Sequence, residues 1–184
     1  MLEAAGVPFE AISAGVDEDA AKASLRADGL GPRDLADALA ELKAVKISSR
    51  DPEALVLGCD SIVALDDGTM LDKAASREEA AEQLRRMSGQ RHHLYSAAVI
   101  AQAGRPVWRF VDKVTMHVRS LSEAFIQAYL DRDWDQARWC VGVYRIEGPG
   151  AQLFARIEGS QFTVIGLPLL PVLDHLRMRG VLTS

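Results

Sequence analysis

Gly58-Cys59-Asp60-Ser61 is the segment of this sequence with the plainest chemical potential. The apolar run Ala54-Leu55-Val56-Leu57 leads into it and puts a carboxylate at the end of an expected buried strand, after two small residues. In open α/β sheets, ligands collect outside the carboxyl ends of strands. A lone buried carboxylate is costly unless something pairs with it. A divalent cation would do so, since magnesium takes carboxylates, waters and phosphate oxygens. Asp60 therefore reads either as a metal ligand or general base for a water, or as a cap or turn aspartate. The local pattern leaves both open.

The other candidates are weaker when taken alone. Lys73, in Leu71-Asp72-Lys73, could neutralise phosphate charge, but a lysine after a turn is ordinarily a solvated surface residue. Lys43 carries the same two readings. Glu18 reads first as a helix-start carboxylate favoured by the macrodipole. Glu147-Gly148-Pro149-Gly150 and Ile157-Glu158-Gly159-Ser160 lack the spacing of a nucleotide-phosphate loop and read as turns. His92 and His93 are adjacent, so in a strand they face opposite ways and cannot share a metal. His117 and His175 show no partner, no nucleophile elbow occurs, and Trp108, Trp134 and Trp139 read as core or interface. Cys59 and Cys140 lack zinc spacing and read as reduced thiols in a reducing compartment.

Alternating strands and helices must position these residues. Asp17 to Ala27 and Pro32 to Ile47 are expected helices, the second with Leu35, Leu39, Leu42 and Ile47 near helical spacing. Ala54 to Cys59 is an expected strand, continued extended from Ser61 to the turn Asp66-Asp67-Gly68. Ser76-Arg77-Glu78-Glu79 has capping-box spacing and opens a helix to Met87. His92 to Ala101 and Pro106 to Val118 are strands around Gly104, and Ser122 caps a helix to Leu130. Leu153 to Ile157 and Phe162 to Ile165 flank a turn, and a last apolar helix ends near Gly180. Met1 to Ala5 reads as the end of a helix stopped by Gly6. The class is α/β or α+β with a mixed sheet.

With 184 residues, 48% hydrophobic and 26% charged, the chain suffices for one domain or a compact pair of lobes. A net charge of −5 argues against a general nucleic-acid binder. No apolar run is long enough to span a membrane and no signal peptide is evident, so the cytoplasm is the expected location.

In this order, the pieces resemble the Maf family of nucleotide pyrophosphatases. Leu55-Val56-Leu57-Gly58-Cys59-Asp60-Ser61-Ile62-Val63 looks like the family's core strand with its catalytic aspartate. Leu71-Asp72-Lys73-Ala74, Met87-Ser88-Gly89-Gln90-Arg91-His92, Gly142-Val143-Tyr144-Arg145-Ile146-Glu147-Gly148 and Val164-Ile165-Gly166-Leu167-Pro168-Leu169 resemble its later signatures. The resemblance spans essentially residues 1–184. It implies a sheet flanked by helices, with two lobes around a cleft, similar to inosine triphosphate pyrophosphatases. It implies hydrolysis of a nucleoside triphosphate to monophosphate and pyrophosphate with Mg²⁺ or Mn²⁺. Asp60 would activate water or hold the metal, Glu18 would assist at the metal, Lys43 and Lys73 would contact phosphates, and Glu147 would lie near the base. A homodimer is implied as well.

The sequence departs from the family pattern in three ways. Met1 to Phe9 resembles the stretch just after the family's Ser-x-Ser-x-Arg-Arg phosphate clamp, so the sequence as given is expected to lack that segment and to be a poorer enzyme than an upstream-extended form. Cys140 stands where many members have lysine. Glu147 stands for glutamine, which resembles the branch acting on 7-methylguanosine triphosphate rather than the thymidine/uridine branch; a carboxylate only accepts, whereas an amide donates and accepts. The rival expectation is a non-catalytic nucleotide-binding protein, regulating cell division, on the same scaffold.

Overall fold

Side-chain caps decide where three of the helices begin. The computed structural model describes residues 1–183. Asp17 Oδ1 accepts from the Ala20 amide at 3.0 Å and opens α1 (Glu18–Ala27). Ser76 Oγ accepts from Glu79 and opens α3 (Arg77–Met87), and Ser122 Oγ accepts from Phe125 and opens α4 (Glu123–Ala137). Each such bond satisfies an amide that the first helical turn leaves without a partner. Between α1 and α3, α2 (Pro32–Ser48) starts on a proline, whose missing N–H costs nothing there. Two short C-terminal helices complete the set, α5 (Gln161–Ile165) and α6 (Leu169–Met178). The N-terminal residues Glu3–Ala5 form a 3₁₀ turn that Gly6 ends at φ 72°.

Five strands form one open sheet: β1 (Val56–Leu65), β2 (Met70–Leu71), β3 (Arg91–Gln102), β4 (Arg105–Val118) and β5 (Phe154–Glu158), in the order β2-β1-β3-β4-β5. Pairing is antiparallel where a mixed sheet was expected. Tight turns join β1 to β2 and β3 to β4, and only antiparallel neighbours accept such short links. The β3–β4 turn places Ala103 and Gly104 at φ 51° and 74°, the left-handed pair that a two-residue hairpin requires.

Two other expectations shift. The helix expected to stop at Leu130 continues to Ala137, because Asp133 and Ala137 extend its buried stripe. Phe162 to Ile165, on the far side of the Glu158-Gly159-Ser160 turn, is helical as α5.

Chain contacts divide the protein into two compact units. The first comprises Met1–Asp60, Ser96–Asp112 and the segment from Gly166 onward; the second comprises Ser61–Tyr95 and Lys113–Ile165. The first unit has a core in which Val7, Ala98, Ile100, Leu167, Val172 and Leu176 cluster, with Leu57 and Cys59 of β1 packed against them. Alternation along β1 turns Gly58 the other way, toward α2. A Cβ on Gly58 would lie 2.3 Å from the Ala40 carbonyl oxygen and 2.8 Å from the Ala44 amide nitrogen, so α2 lies directly on the strand there. Leu35 and Leu39 anchor that helix, fully buried, at roughly 1.5–3 kcal/mol each relative to exposure. In the second unit Leu84, Leu94, Val114, Met116, Ile126 and Leu130 belong to a single apolar cluster.

Candidate active site

The close seat of α2 on β1 brings a lysine to the aspartate. Lys43 on α2 donates to Asp60 Oδ1 at 2.9 Å and to the Cys59 carbonyl oxygen at 3.4 Å. Its ammonium also meets Glu18 Oε1, on the first residue of α1, at 2.9 Å. The Asp60 side chain is only 10% exposed and Lys43 20%, whereas Glu18 is 49% exposed. One ammonium therefore bridges a buried carboxylate and one open to solvent.

Burial dominates the electrostatics of this triad. Loss of water raises the Asp60 pKa above the ordinary carboxylate value, against the opposing pull of Lys43 and, more weakly, of Lys22. Burial by itself would lower the Lys43 pKa, but Asp60 and Glu18 together carry it above its usual value, so the cation persists. The neighbouring Cys59 thiol is pushed up to about 12, chiefly by burial, and is no nucleophile at neutral pH. Asp60 stands mid-strand rather than at the expected strand end, since the extended run continues to Leu65, and in place of a cap or turn it holds a partly buried ion pair with Lys43.

The second unit assembles a different charged group. Lys73 comes just after β2, and Glu147 lies in the loop between the 3₁₀ turns Val141–Val143 and Pro149–Leu153. Around Cys140, burial raises the thiol pKa, Glu147 raises it further, and Arg145, with Lys73 more weakly, opposes. The Arg145 guanidinium is fixed: its Nε lies 3.2 and 3.1 Å from the two carboxylate oxygens of Asp133, and its Nη2 is 2.7 Å from Oδ1. Asp133 is 3% exposed. Thus Glu18, Lys43 and Asp60 come together in one unit, and Lys73 and Glu147 share a neighbourhood in the other. Among the described residues, no group of three or more His, Cys, Asp or Glu side chains is arranged to hold a metal ion.

Residues 1–179 match the family described as Maf-like protein. The chain belongs to the Maf-like family. Three curated relatives of this Maf-like chain are described as nucleoside triphosphate pyrophosphatases. A nucleoside triphosphate pyrophosphatase of Sphingopyxis alaskensis is 55% identical over 181 residues, covering 98% of this chain and 91% of its own. The protein of the same description from Caulobacter vibrioides is 50% identical, covering 100% and 91%. That from Ruegeria pomeroyi is 48% identical, covering 100% and 92%. No helix among the described residues is long and apolar enough to cross a membrane.

Sequence reasoning passed over three charged residues of this Maf-like chain. Lys22 lies one helical turn beyond Glu18 on α1 and adds to the field at Asp60; that spacing was legible. Asp133 falls on the stripe Ile126, Tyr129, Leu130, Asp133, Ala137. A carboxylate at an apolar-face position signals a buried charge that must find a cation. Arg145 is that cation, and nothing in the sequence between the two residues announces the pairing.

Proposed function

We propose that this Maf-like chain hydrolyses a nucleoside triphosphate to the monophosphate and pyrophosphate, with Asp60 as general base. The observation carrying the reading is the ion pair itself, a nearly buried carboxylate held at 2.9 Å by Lys43. Burial raises the basicity of Asp60, and a base with a raised pKa accepts a water proton more readily at neutral pH. The water oxygen bonds to the α-phosphorus as the P–O bond bridging the α- and β-phosphates breaks. Pyrophosphate departs with the electron pair, and the water proton resides on Asp60. Lys43 and Lys73 supply positive charge to the phosphoryl oxygens, where negative charge builds up.

A magnesium or manganese ion arriving with the nucleotide would be held by the Glu18 and Asp60 carboxylates in place of part of their contact with Lys43. Glu18 and Asp60 offer two hard oxygens around one cation, and magnesium characteristically combines one or two carboxylates with waters and substrate phosphates. Such an ion, when bound, polarises phosphoryl oxygens and lowers the pKa of its water. Glu147 reads the base edge, in favour of guanine-type or 7-methylguanine nucleotides over pyrimidine ones. The free thiols of Cys59 and Cys140 support a reducing, cytoplasmic location, and light scattering on the purified chain tests the homodimer.

Pyrophosphate release is the test, measured over a nucleoside triphosphate panel with Mg²⁺ or Mn²⁺ for the parent chain and Asp60→Asn. Release that vanishes in Asp60→Asn is the expected result. Nucleotide binding without release in the parent would refute it and favour a non-catalytic regulator.

A further inference from the structure

The loop that carries Arg145 and Glu147 is held in a strained shape. Gly142 and Val143 both lie in the left-handed region, at φ 77° and 58°. For a β-branched residue that conformation is a genuine outlier, costing on the order of 1–3 kcal/mol, and such strain concentrates at ligand clamps. Val143 is fully buried, so the strain is imposed by packing rather than by exposure.

Three contacts enforce the shape. The Tyr129 hydroxyl, from α4, donates to the Val143 carbonyl oxygen at 2.9 Å. The buried His92 ring, from β3, hydrogen-bonds the Tyr144 hydroxyl through Nε2 at 2.8 Å. Asp133, one turn beyond Tyr129, grips Arg145. The chain then turns back tightly: a Cβ on Gly150 would lie 2.6 Å from the Arg145 carbonyl oxygen, and one on Gly148 would lie 2.9 Å from the Arg145 guanidinium carbon. Glu147 stands inside this short arc.

We propose that Tyr129 is a positioning residue for nucleotide selection: its hydrogen bond to the strained Val143 carbonyl sets the loop that presents Glu147 to the base. This rests on the assignment of Glu147 to base reading. Tyr129 touches no reacting atom, so it acts on binding of the preferred nucleotide and not on the chemical step. An unconstrained loop relaxes Val143 toward an ordinary backbone conformation, and Glu147 then samples positions that no longer discriminate between bases.

A double-mutant cycle tests this, with Tyr129→Phe, Glu147→Gln and the pair, each read as kcat and KM for GTP, 7-methyl-GTP, UTP and dTTP, and as a melting temperature. Tyr129→Phe is expected to raise KM for the preferred nucleotide about 5–10-fold, the range of one lost hydrogen bond, with kcat within about twofold, and to narrow the spread across the panel. In the Glu147→Gln background the same change should leave the spread unaltered. A lower melting temperature with unchanged KM and spread would make Tyr129 merely structural and overturn the proposal, as would effects that add in the double variant. Glu147→Gln without any effect on the spread would instead remove the base-reading assignment, and the proposal with it.

Discussion

Gly58→Ala probes whether the seat of α2 on β1 is what delivers Lys43 to Asp60. The added Cβ would lie 2.3 Å from the Ala40 carbonyl oxygen, 2.8 Å from the Ala44 amide nitrogen and 3.0 Å from the Ala44 Cβ. Two of the three obstacles are backbone, so no side-chain rotation relieves them. An ordinary carbon–oxygen approach is about 3.3 Å, so α2 must retreat by about 1 Å or β1 must bend. Overpacking of this kind costs about 1–3 kcal/mol, and a chain of this size loses about 2–4 °C of melting temperature per kcal/mol. Lys43 rides on α2 one residue before Ala44, so its 2.9 Å contact with Asp60 opens as well. A displacement of about 1 Å can cost about 10²-fold in turnover. Pyrophosphate release and thermal unfolding are measured together, with Gly31→Ala as the control, since a Cβ at Gly31 meets nothing within 4 Å. A Gly58→Ala chain with the parent's melting temperature and turnover would show that the helix–strand seat is slack and that Lys43 placement does not depend on it.

Four further outcomes are expected. Asp60→Asn should lower turnover by about 10²-fold or more in a chain that still folds, and turnover within about twofold of the parent would contradict the general-base role. Lys43→Met removes the main charge opposing the burial of Asp60, so the acid limb of the pH–rate profile should move to higher pH, and an unmoved limb would detach that limb from Asp60. Chelation with EDTA should abolish pyrophosphate release and added Mg²⁺ or Mn²⁺ restore it, whereas release that survives chelation would count against a metal requirement. His92, whose pKa burial lowers from 6.5 to about 4, stays neutral in the fold while the unfolded chain protonates first; stability should fall as pH drops below about 6.5, by about 3 kcal/mol near pH 4, and urea midpoints insensitive to pH over that window would refute the assignment.

Local signals in the sequence place most of the elements. Capping serines at Ser76 and Ser122 mark helix starts that the structure repeats, and the helix expected from Asp17 is found with Asp17 as its cap. The Asp66-Asp67-Gly68 and Gly104 turns mark hairpins for the same reason, because each rests on a conformation only certain residues adopt. Asp60 stood out because a charge interrupts a run of small and apolar residues. What pairs with it was not legible: Lys43 lies on the helix surface pattern as an ordinary cation, and only the absence of a side chain at Gly58 lets α2 come near enough for it to matter. The pairing of β4 with the distant β5 and the left-handed turn at Val143 are likewise products of tertiary contact, invisible in spacing.

The two charged groups share a mode of construction. In the first unit a glycine lets a helix backbone meet a strand, and a lysine on that helix then neutralises a carboxylate that desolvation would otherwise protonate. In the second, Gly148 and Gly150 let a loop fold back on Arg145 while a buried aspartate fixes its guanidinium. A buried ion pair seldom adds net stability, because desolvating two charges offsets their attraction. Backbone approach at glycine costs conformational entropy in the unfolded chain, and a left-handed valine adds strain. Neither group, then, is what a chain selected for stability alone would retain. Each group instead holds a charged side chain at a fixed place. On that view Gly58→Ala and Tyr129→Phe should differ in kind: the first damages kcat because it moves the charge at the reacting centre, and the second damages KM because it loosens only the recognition of the base.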